Sequence, residues 1–136
     1  MAALVAGTAL VYSRSGPGGL RLGAVQMNDI LAVADVKRGE EISKACLICH
    51  NFTPSGGPHK SGPTLFGIVG RPMASVEGYS YSVALSELRG EVWTTDNLYD
   101  WLHDPAGFAP GTTMAVEGML DPQDRMDLIR YLMTVH

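Results

Sequence analysis

The sequence is short of positive charge. Its 136 residues include 10 lysines and arginines against 14 aspartates and glutamates, which gives a net charge of −4 at pH 7. Because a protein that binds nucleic acid usually carries a basic patch, this balance argues against a nucleic-acid partner. Charged residues of both signs make up only 18% of the chain, whereas hydrophobic residues make up 46%. The composition predicts one globular domain, since the length is too short for two of ordinary size.

Strand-like alternation of apolar and polar residues is almost absent, and internal repeats and low-complexity tracts are not found. The chain instead contains 16 glycines and 8 prolines, which interrupt helices and favour turns. This composition predicts short helices that are separated by long structured loops.

The apolar N-terminal run is too short for a complete transmembrane helix. Residues 1–12, MAALVAGTALVY, carry no charge. Twelve helical residues extend about 18 Å, whereas the core of a bilayer is about 30 Å thick. The first positive charge is Arg14, so the basic region of a signal peptide is also missing. Two interpretations are open: a disordered or weakly docked tail, or the last turns of a membrane anchor whose beginning lies outside this sequence. We slightly favour the anchor.

The next residues, SRSGPGGLRLG at 13–23, have the composition of a flexible linker. Asp35 is a good N-cap for a helix that would lead to the cysteines. We therefore predict two parts, an N-terminal segment over residues 1–34 and a globular domain over residues 35–136.

Cysteine is nearly absent. The only two, Cys46 and Cys49, lie in KACLICH, and His50 follows the second directly. Such a pair is able to form a disulfide, bind a metal, exchange thiols or carry haem. A structural zinc site usually needs four ligands, and the remaining histidines supply no second pair at ligand spacing. A thioredoxin-like motif belongs in a βαβ unit, for which strands are lacking. The adjacent histidine fits the C-x-x-C-H signature for covalent attachment of a c-type haem.

A haem held in this way needs two axial ligands for its iron. His50 is the natural first ligand, because the cysteine bonds would pin the porphyrin edge beside it. Among the seven methionines, Met126 and Met133 share an apolar helical face, which predicts core packing. Met114 lies instead in the loop FAPGTTMAVEG, where its sulfur is able to turn toward a flat cofactor without breaking a helix. Met1, Met27 and Met73 also lie in loop or tail contexts, and among these residues Met114 is the leading candidate for the second ligand.

Four segments, in order, resemble class I cytochromes c of the mitochondrial and alphaproteobacterial type. They are GEEISKACLICH at 39–50, GPTLFGIVGR at 62–71, GYSYSVAL at 78–85 with Trp93, and PGTTMAVEG at 110–118. A closing helix, DLIRYL at 127–132, is similar as well, so the likeness extends over the whole of the predicted domain. The lead-in to the cysteines resembles that of membrane-anchored bacterial members.

The resemblance implies a role for each residue nearest the iron. Cys46 and Cys49 would form two thioether bonds, and His50 and Met114 would be the axial ligands. The carbonyl of Pro63 would accept a hydrogen bond from the second ring nitrogen of His50, which fixes the orientation and basicity of the imidazole. The implied cofactor is one covalent haem c.

The resemblance also implies the groups that hold the haem propionates. These are Arg71, Tyr81, Trp93 and Thr112. Buried carboxylates are costly unless they are paired and hydrogen-bonded, and a guanidinium, a phenol and an indole N–H are the kinds of partner required. Trp101 stands where the family commonly has a tyrosine near the methionine ligand. Its indole N–H donates a hydrogen bond but cannot accept one.

The implied fold is all-α, the cytochrome c fold, with about four short helices and long loops wrapped around one covalently bound haem. Besides a short helical turn near 64–69, helices are expected near 35–47, 80–88, 94–103 and 121–134. Gly39 resembles the position where the first and last helices cross, beside Leu128 and Tyr131. Gly67 and Gly70 would allow left-handed turns under the haem.

An iron with both axial positions filled has no open site for oxygen or a substrate, so the resemblance implies electron transfer and no enzyme activity. The expected function is a one-electron carrier between a quinol-oxidising, bc1-type complex and a terminal oxidase or photosynthetic reaction centre. The main alternative is a permanent haem c subunit of a dehydrogenase or oxidase complex. A further alternative is a haem peroxidase or ligand sensor in which Met114 dissociates.

Relatives of the mitochondrial type surround the exposed haem edge with lysines, and this sequence does not. The comparable positions are small, apolar or acidic: Ala45, Ala106, Gly107, Thr113, Leu120 and Asp121. Long-range steering by a basic face should therefore be weak, and an N-terminal membrane tether would raise the local concentration instead. Since haem is attached to this motif outside the cytoplasm, the domain is expected at the periplasmic face of a bacterial inner membrane, or alternatively in the mitochondrial intermembrane space.

Overall fold

The computed structural model describes residues 26–54 and 57–136 in full, and the backbone of residues 13–14 and 20–21. The apolar run 1–12 lies outside the described residues, as does most of the linker predicted at 13–23. Two short strands, β1 (Ser13–Arg14) and β2 (Leu20–Arg21), pair antiparallel. Within the described ranges, no helix is both long and apolar enough to cross a membrane.

Apart from β1 and β2, short helices and irregular backbone make up the described part of the chain. The helices are α1 (Met27–Leu31), α2 (Val36–Ser43), α3 (Val83–Ser86), α4 (Thr95–His103), α5 (Pro105–Phe108) and α6 (Pro122–Leu132), with a 3-10 turn at Cys46–Ile48. The predicted all-α class is confirmed.

Helix boundaries differ from the predicted ones where the chain has to turn. The first predicted helix is divided, because α2 ends at Ser43 and the 3-10 turn carries the first cysteine. Helix α5 was not predicted; Asp104 caps it and Pro105 opens it, as proline fits the first turn of a helix but cannot continue the preceding one. The helical turn predicted near 64–69 is wrong, since Gly67 takes a φ of +65° and interrupts any helical run there.

Gly67 and Gly70 adopt left-handed φ values of +65° and +85°, which confirms their predicted conformation. The N–H of Gly67 donates a hydrogen bond to the carbonyl of Val135 at 2.7 Å. This loop is thereby tied to the end of the chain, just beyond α6.

Helices α2 and α6 cross at Gly39. A Cβ placed on this residue would lie 1.9 Å from the carbonyl oxygen of Asp127 and 2.8 Å from the Cβ of Tyr131. Because no side chain fits so close to a backbone carbonyl, the crossing requires glycine. The predicted role of Gly39 is confirmed, and Asp127 rather than Leu128 makes the closest approach.

Asp127 reinforces the same crossing. Its side chain, in a residue only 1% exposed, accepts hydrogen bonds from the Asp35 N–H at 2.8 Å, from Arg38 Nη1 at 2.7 Å and from Gln123 Nε2 at 2.8 Å. Asp35 also caps α2 as predicted, since it accepts a hydrogen bond from the backbone N–H of Arg38 at 3.1 Å. Burial raises the pKa of Asp127, but these hydrogen bonds outweigh burial and hold the pKa below its usual value.

The core gathers around α6 and extends to residues ahead of Asp35. Its most deeply buried apolar side chains are Leu31, Met73, Leu128 and Ile129. Helix α1 packs against α6 and buries Met27 as well as Leu31. The predicted domain boundary at residue 35 stays a prediction. Helix α1 lies before this boundary and still packs against the core.

The Asp127 network generates a pH-dependent prediction. Because the pKa of Asp127 is lowered in the folded protein, its ionised form stabilises the fold above the ordinary pKa of about 4, and this stabilisation is lost as the pH falls through the lower folded value. We expect Asp127→Asn to reduce the free energy of unfolding at neutral pH by about 1–3 kcal/mol, because buried donors lose their charged acceptor. Denaturant titrations at neutral pH and well below pH 4 measure the difference, which should shrink in acid.

Asp124→Asn is the matched control, because Asp124 contacts the same arginine from a partly exposed position. Its effect should be much smaller and should depend little on pH. Equal losses for the two variants at neutral pH would contradict the importance assigned to Asp127.

Candidate functional site

The two cysteines lie on one tight turn directly after α2. The N–H groups of Cys49 and His50 both donate hydrogen bonds to the carbonyl of Cys46, at 3.1 and 2.8 Å. No disulfide joins Cys46 to Cys49, and both residues are half-buried. Burial raises the pKa of the Cys46 thiol, whereas a redox-active thiol pair depends on a lowered pKa. The raised pKa therefore argues against thiol exchange at this turn.

His50 is held by the backbone that passes beside it. Its Nδ1 donates a hydrogen bond to the carbonyl of Pro63 at 2.7 Å, the contact that the sequence predicts. Because a carbonyl only accepts, Nδ1 carries the proton and Nε2 keeps a lone pair for a metal. Burial lowers the pKa of His50, and the nearby Arg71 cation lowers it further, against the opposing effect of the Pro63 hydrogen bond. The imidazole is therefore in the neutral form that binds metals.

Gly62 is a site residue that sequence reasoning missed. A Cβ there would lie 2.4 Å from Cε1 and 2.6 Å from Nδ1 of the His50 ring. The N–H of Gly62 also donates a hydrogen bond to the carbonyl of Cys49 at 2.7 Å. The loop backbone thus passes where any larger residue would displace the imidazole. A glycine before proline in the sequence indicates a turn, but only the fold reveals this approach.

Arg71 brings a half-buried cation to the site. Its Nη1 and Nη2 donate hydrogen bonds to the carbonyls of Phe66 and Thr64, each at 2.9 Å. Its Nε is buried and has no hydrogen-bond partner among the described residues. Burial lowers the pKa of Arg71, which means that the charge is only partly compensated by its neighbours. A buried Nε–H without a partner on this half-buried guanidinium fits a carboxylate such as a haem propionate.

The Tyr81 phenol and the backbone of Trp93 lie near Arg71. The Tyr81 hydroxyl oxygen accepts a hydrogen bond from the Val76 N–H at 2.9 Å, so its own proton remains to be donated. Burial raises the pKa of Tyr81, which keeps the phenol protonated. The backbone N–H of Trp93 donates to the Arg71 carbonyl at 2.9 Å. Arg71, the Tyr81 phenol and the backbone of Trp93 are therefore near one another, and the propionate contacts stay a prediction.

Trp101 lies in an aromatic cluster with Trp93 and Phe108. The ring centroids of the two tryptophans are 5.3 Å apart, and Phe108 lies 5.9 Å from Trp93 and 5.7 Å from Trp101. Aromatic pairs at such distances pack favourably. The cluster joins α4 and α5 to the segment that carries Arg71.

Met114 and Thr112 form a separate pair in the loop after α5. The N–H of Met114 donates a hydrogen bond to Thr112 Oγ1 at 3.2 Å, and the Thr112 N–H donates to the Ala109 carbonyl at 2.9 Å. Met114 is half-buried against the core. The Thr112 hydroxyl uses an acceptor lone pair in this contact and keeps its proton as a donor.

The donor set fits a covalently bound haem. Two half-buried thiols lie one turn from an imidazole with a free Nε2, a methionine lies half-buried in its own loop, and a guanidinium N–H is unmet. Within the described ranges, no three His, Cys, Asp or Glu side chains come together to hold a bare metal ion.

Comparisons with known proteins agree with a haem-binding site. A sequence model of the cytochrome c family matches residues 36–136. The chain is 45% identical over 109 residues to a cytochrome c homolog of Rickettsia prowazekii, which covers 80% of this chain and 61% of that protein. It is 43% identical over 103 residues to a cytochrome c of Gibberella zeae, which covers 75% of this chain and 95% of that protein. The chain thus spans less than two thirds of the length of the Rickettsia relative.

A solved structure is similar as well. Cytochrome cH from Methylobacterium extorquens superposes with a TM-score of 0.67 at 37% sequence identity, covering 74% of this chain and 99% of the other. The likeness thus extends to the fold.

The contact of Gly62 with His50 generates a prediction. Gly62→Ala should push the imidazole away from the Pro63 carbonyl and reduce the free energy of unfolding of the haem-loaded protein by about 1–3 kcal/mol. Denaturant unfolding measures the loss, and the NMR shifts of the His50 ring report its displacement.

Gly67→Ala is the control for the cost of replacing a loop glycine. Gly67 has a positive φ but nothing within 4 Å of its added Cβ, so its variant should lose about 1–2 kcal/mol while the His50 shifts stay in place. His50 shifts that remain unchanged in Gly62→Ala would refute the role of Gly62.

Proposed function

The chain belongs to the cytochrome c family, and from this premise we propose that it is a one-electron carrier. The family binds haem c through a cysteine pair, which here is Cys46 and Cys49. We assign His50 and Met114 as the axial ligands. The observation that carries the proposal is the hydrogen bond of His50 Nδ1 to Pro63, because it leaves Nε2 neutral and free for the iron.

The residues around the cofactor favour simple electron transfer. A bound haem c supplies an iron that gains or loses one electron. The imidazole of His50 and the thioether of Met114 are both neutral, and His/Met ligation raises the reduction potential. Arg71 and Tyr81 would neutralise and hydrogen-bond the propionates. His50 is fixed by Pro63 and Gly62, so its ring has little freedom to move when the charge on the iron changes.

Ligation by both residues distinguishes a carrier from an enzyme. If His50 and Met114 both bind the iron, no position on it would be left for a substrate. The proposal therefore predicts a weak far-red sulfur-to-iron absorption band in the oxidised protein, which should be lost in Met114→Ala. Met133→Ala is the matched control, because this half-buried methionine follows α6, and it should keep the band.

The same variants test the peroxidase or sensor alternative. Reduced protein should bind carbon monoxide slowly or not at all at neutral pH, and Met114→Ala should bind it rapidly. Rapid binding by the unmodified protein would favour a ligand-binding function over a carrier.

The partners proposed are a quinol-oxidising, bc1-type complex as donor and a terminal oxidase or photosynthetic reaction centre as acceptor. The surface supports docking by apolar contact. Ile48, between the cysteines, is 81% exposed, and Leu120 is 77% exposed. The other rim positions named above, including Ala45, Ala106 and Thr113, are exposed and carry no positive charge. We place the protein at the periplasmic face of a bacterial inner membrane, with the intermembrane space of mitochondria as the alternative.

A rim without positive charge and with the single acidic residue Asp121 predicts electron exchange that depends little on salt. Between about 20 and about 200 mM salt, where charge steering is progressively screened, the rate with a bc1-type complex should change less than about threefold. The double variant Ala106→Lys/Leu120→Lys, which adds two positive charges to the rim, should gain a steeper dependence. A steep fall in rate for the unmodified protein would contradict docking by apolar contact.

A permanent subunit of a larger complex is the second candidate, and the exposed Ile48 and Leu120 favour it as much as they favour a carrier. Size-exclusion chromatography of gently solubilised native membranes separates the two. A free haem domain supports the carrier, and a domain that elutes only with its complex supports the subunit.

A further inference from the structure

Arg125 places a guanidinium in the core beside α4. The residue is 5% exposed, and its neighbours on α6, Met126 and Leu128, are buried apolar side chains. Arginine is rarely buried without specific partners. Replacement of a buried charged group by an apolar one of similar volume is often neutral or stabilising. Core packing alone therefore does not account for an arginine at this position.

The guanidinium of Arg125 contacts the loop that carries Met114. We call residues 109–121 the Met114 loop. Arg125 Nη1 donates a hydrogen bond to the carbonyl of Met119, and the guanidinium carbon lies 4.2 Å from the centroid of the Tyr99 ring. Its Nε has no hydrogen-bond partner among the described residues. The side chain is thus placed by the loop and the aromatic ring, and one of its own donors is left unmet.

The C-terminal part of the Met114 loop is fixed to two helices at Met119. The Met119 N–H donates to the carbonyl of Leu102 on α4 at 2.7 Å, and its carbonyl accepts from Arg125 on α6. Beside it, Gly118 packs so closely on α4 that a Cβ would lie 1.6 Å from the carbonyl oxygen of His103. One peptide segment is therefore held between α4 and α6.

The bonds around Met114 itself are local. Thr112 bonds to Ala109, and Met114 bonds to Thr112. Since these bonds move with the loop, they set its shape but do not tie it to α6. The attachment at Met119 supplies that tie.

We propose that Arg125 is a positioning residue for Met114: by holding Met119 against α4 and α6, it keeps the methionine sulfur on the iron. This inference rests on the proposed function, because it takes Met114 as a ligand. A neutral thioether favours the reduced iron, so a loosened loop releases Met114 first in the oxidised protein. Release is a ligand exchange, in which the iron–sulfur bond breaks and a bond to an added nitrogen ligand forms, with no electron transferred.

Imidazole binding to the oxidised, haem-loaded protein tests the proposal. Imidazole competes with Met114, and loss of the far-red band reports its binding. Arg125→Leu removes the hydrogen bond to Met119 and places an apolar side chain at the same buried position. We expect this variant to bind imidazole about tenfold more tightly or better, because the measured affinity includes the equilibrium for opening the loop. Arg125→Lys keeps a charged donor, so its imidazole affinity should lie between those of Arg125→Leu and the unmodified protein.

Ile129→Val is the matched control. It removes one buried methylene from the same helix and should reduce global stability, but its imidazole affinity should stay within about twofold of the unmodified protein. If Arg125→Leu also stays within that range, whether or not it unfolds more easily, the proposal is overturned. A far-red band that survives in Met114→Ala would instead overturn the assignment of Met114 as a ligand, so the two failures are distinguishable.

Discussion

The hydrogen bond from His50 to the Pro63 carbonyl is the contact on which the rest of the site depends. At 2.7 Å it decides which ring nitrogen carries the proton, and so which one faces the iron in the proposed carrier. The bond requires the loop to lie against the ring, where Gly62 leaves no space for a Cβ. Because Gly62 also bonds to the carbonyl of Cys49, the cysteine turn, the imidazole and the loop form one unit. A shift in any of them would move the others.

Helices α2 and α6 relate the two sides of the proposed iron site. Helix α2 leads into the cysteine turn and thus to His50, whereas α6 carries Arg125, which holds the loop of Met114. The crossing at Gly39 and the hydrogen bonds of Asp127 fix one helix on the other. In the proposed carrier, this helix pair would help to set the separation of two ligands that come from distant parts of the chain. Gly39 and Asp127 would then affect the ligation of the iron through the crossing of α2 and α6.

The sequence predicted what is local in the chain and little of what depends on contacts between distant segments. The cysteine turn and His50 follow from spacing, because covalent attachment needs those residues side by side. Gly39 was found only through the family resemblance. Asp127 was missed, since its partner Asp35 lies 92 positions away, and Arg125 was missed because a helical pattern does not show which loop lies across it. Helix α6 contains two further charged residues, Asp124 and Arg130, so charge alone did not single out Arg125 and Asp127.

Because the rim has no positive charge, long-range electrostatic attraction contributes little to the encounter with a redox partner. The encounter rate then depends mainly on the local concentration of the two proteins. A basic face accelerates encounter over distances set by the Debye length, about 8 Å at physiological salt, and the exposed Ile48 and Leu120 offer no such field. Apolar contact acts only after the surfaces meet, so it slows dissociation more than it speeds association. A carrier with this surface therefore gains speed from being kept near its partners, by a tether or by assembly in a complex. Both proposals for the protein share that requirement, and they differ only in whether the domain ever leaves.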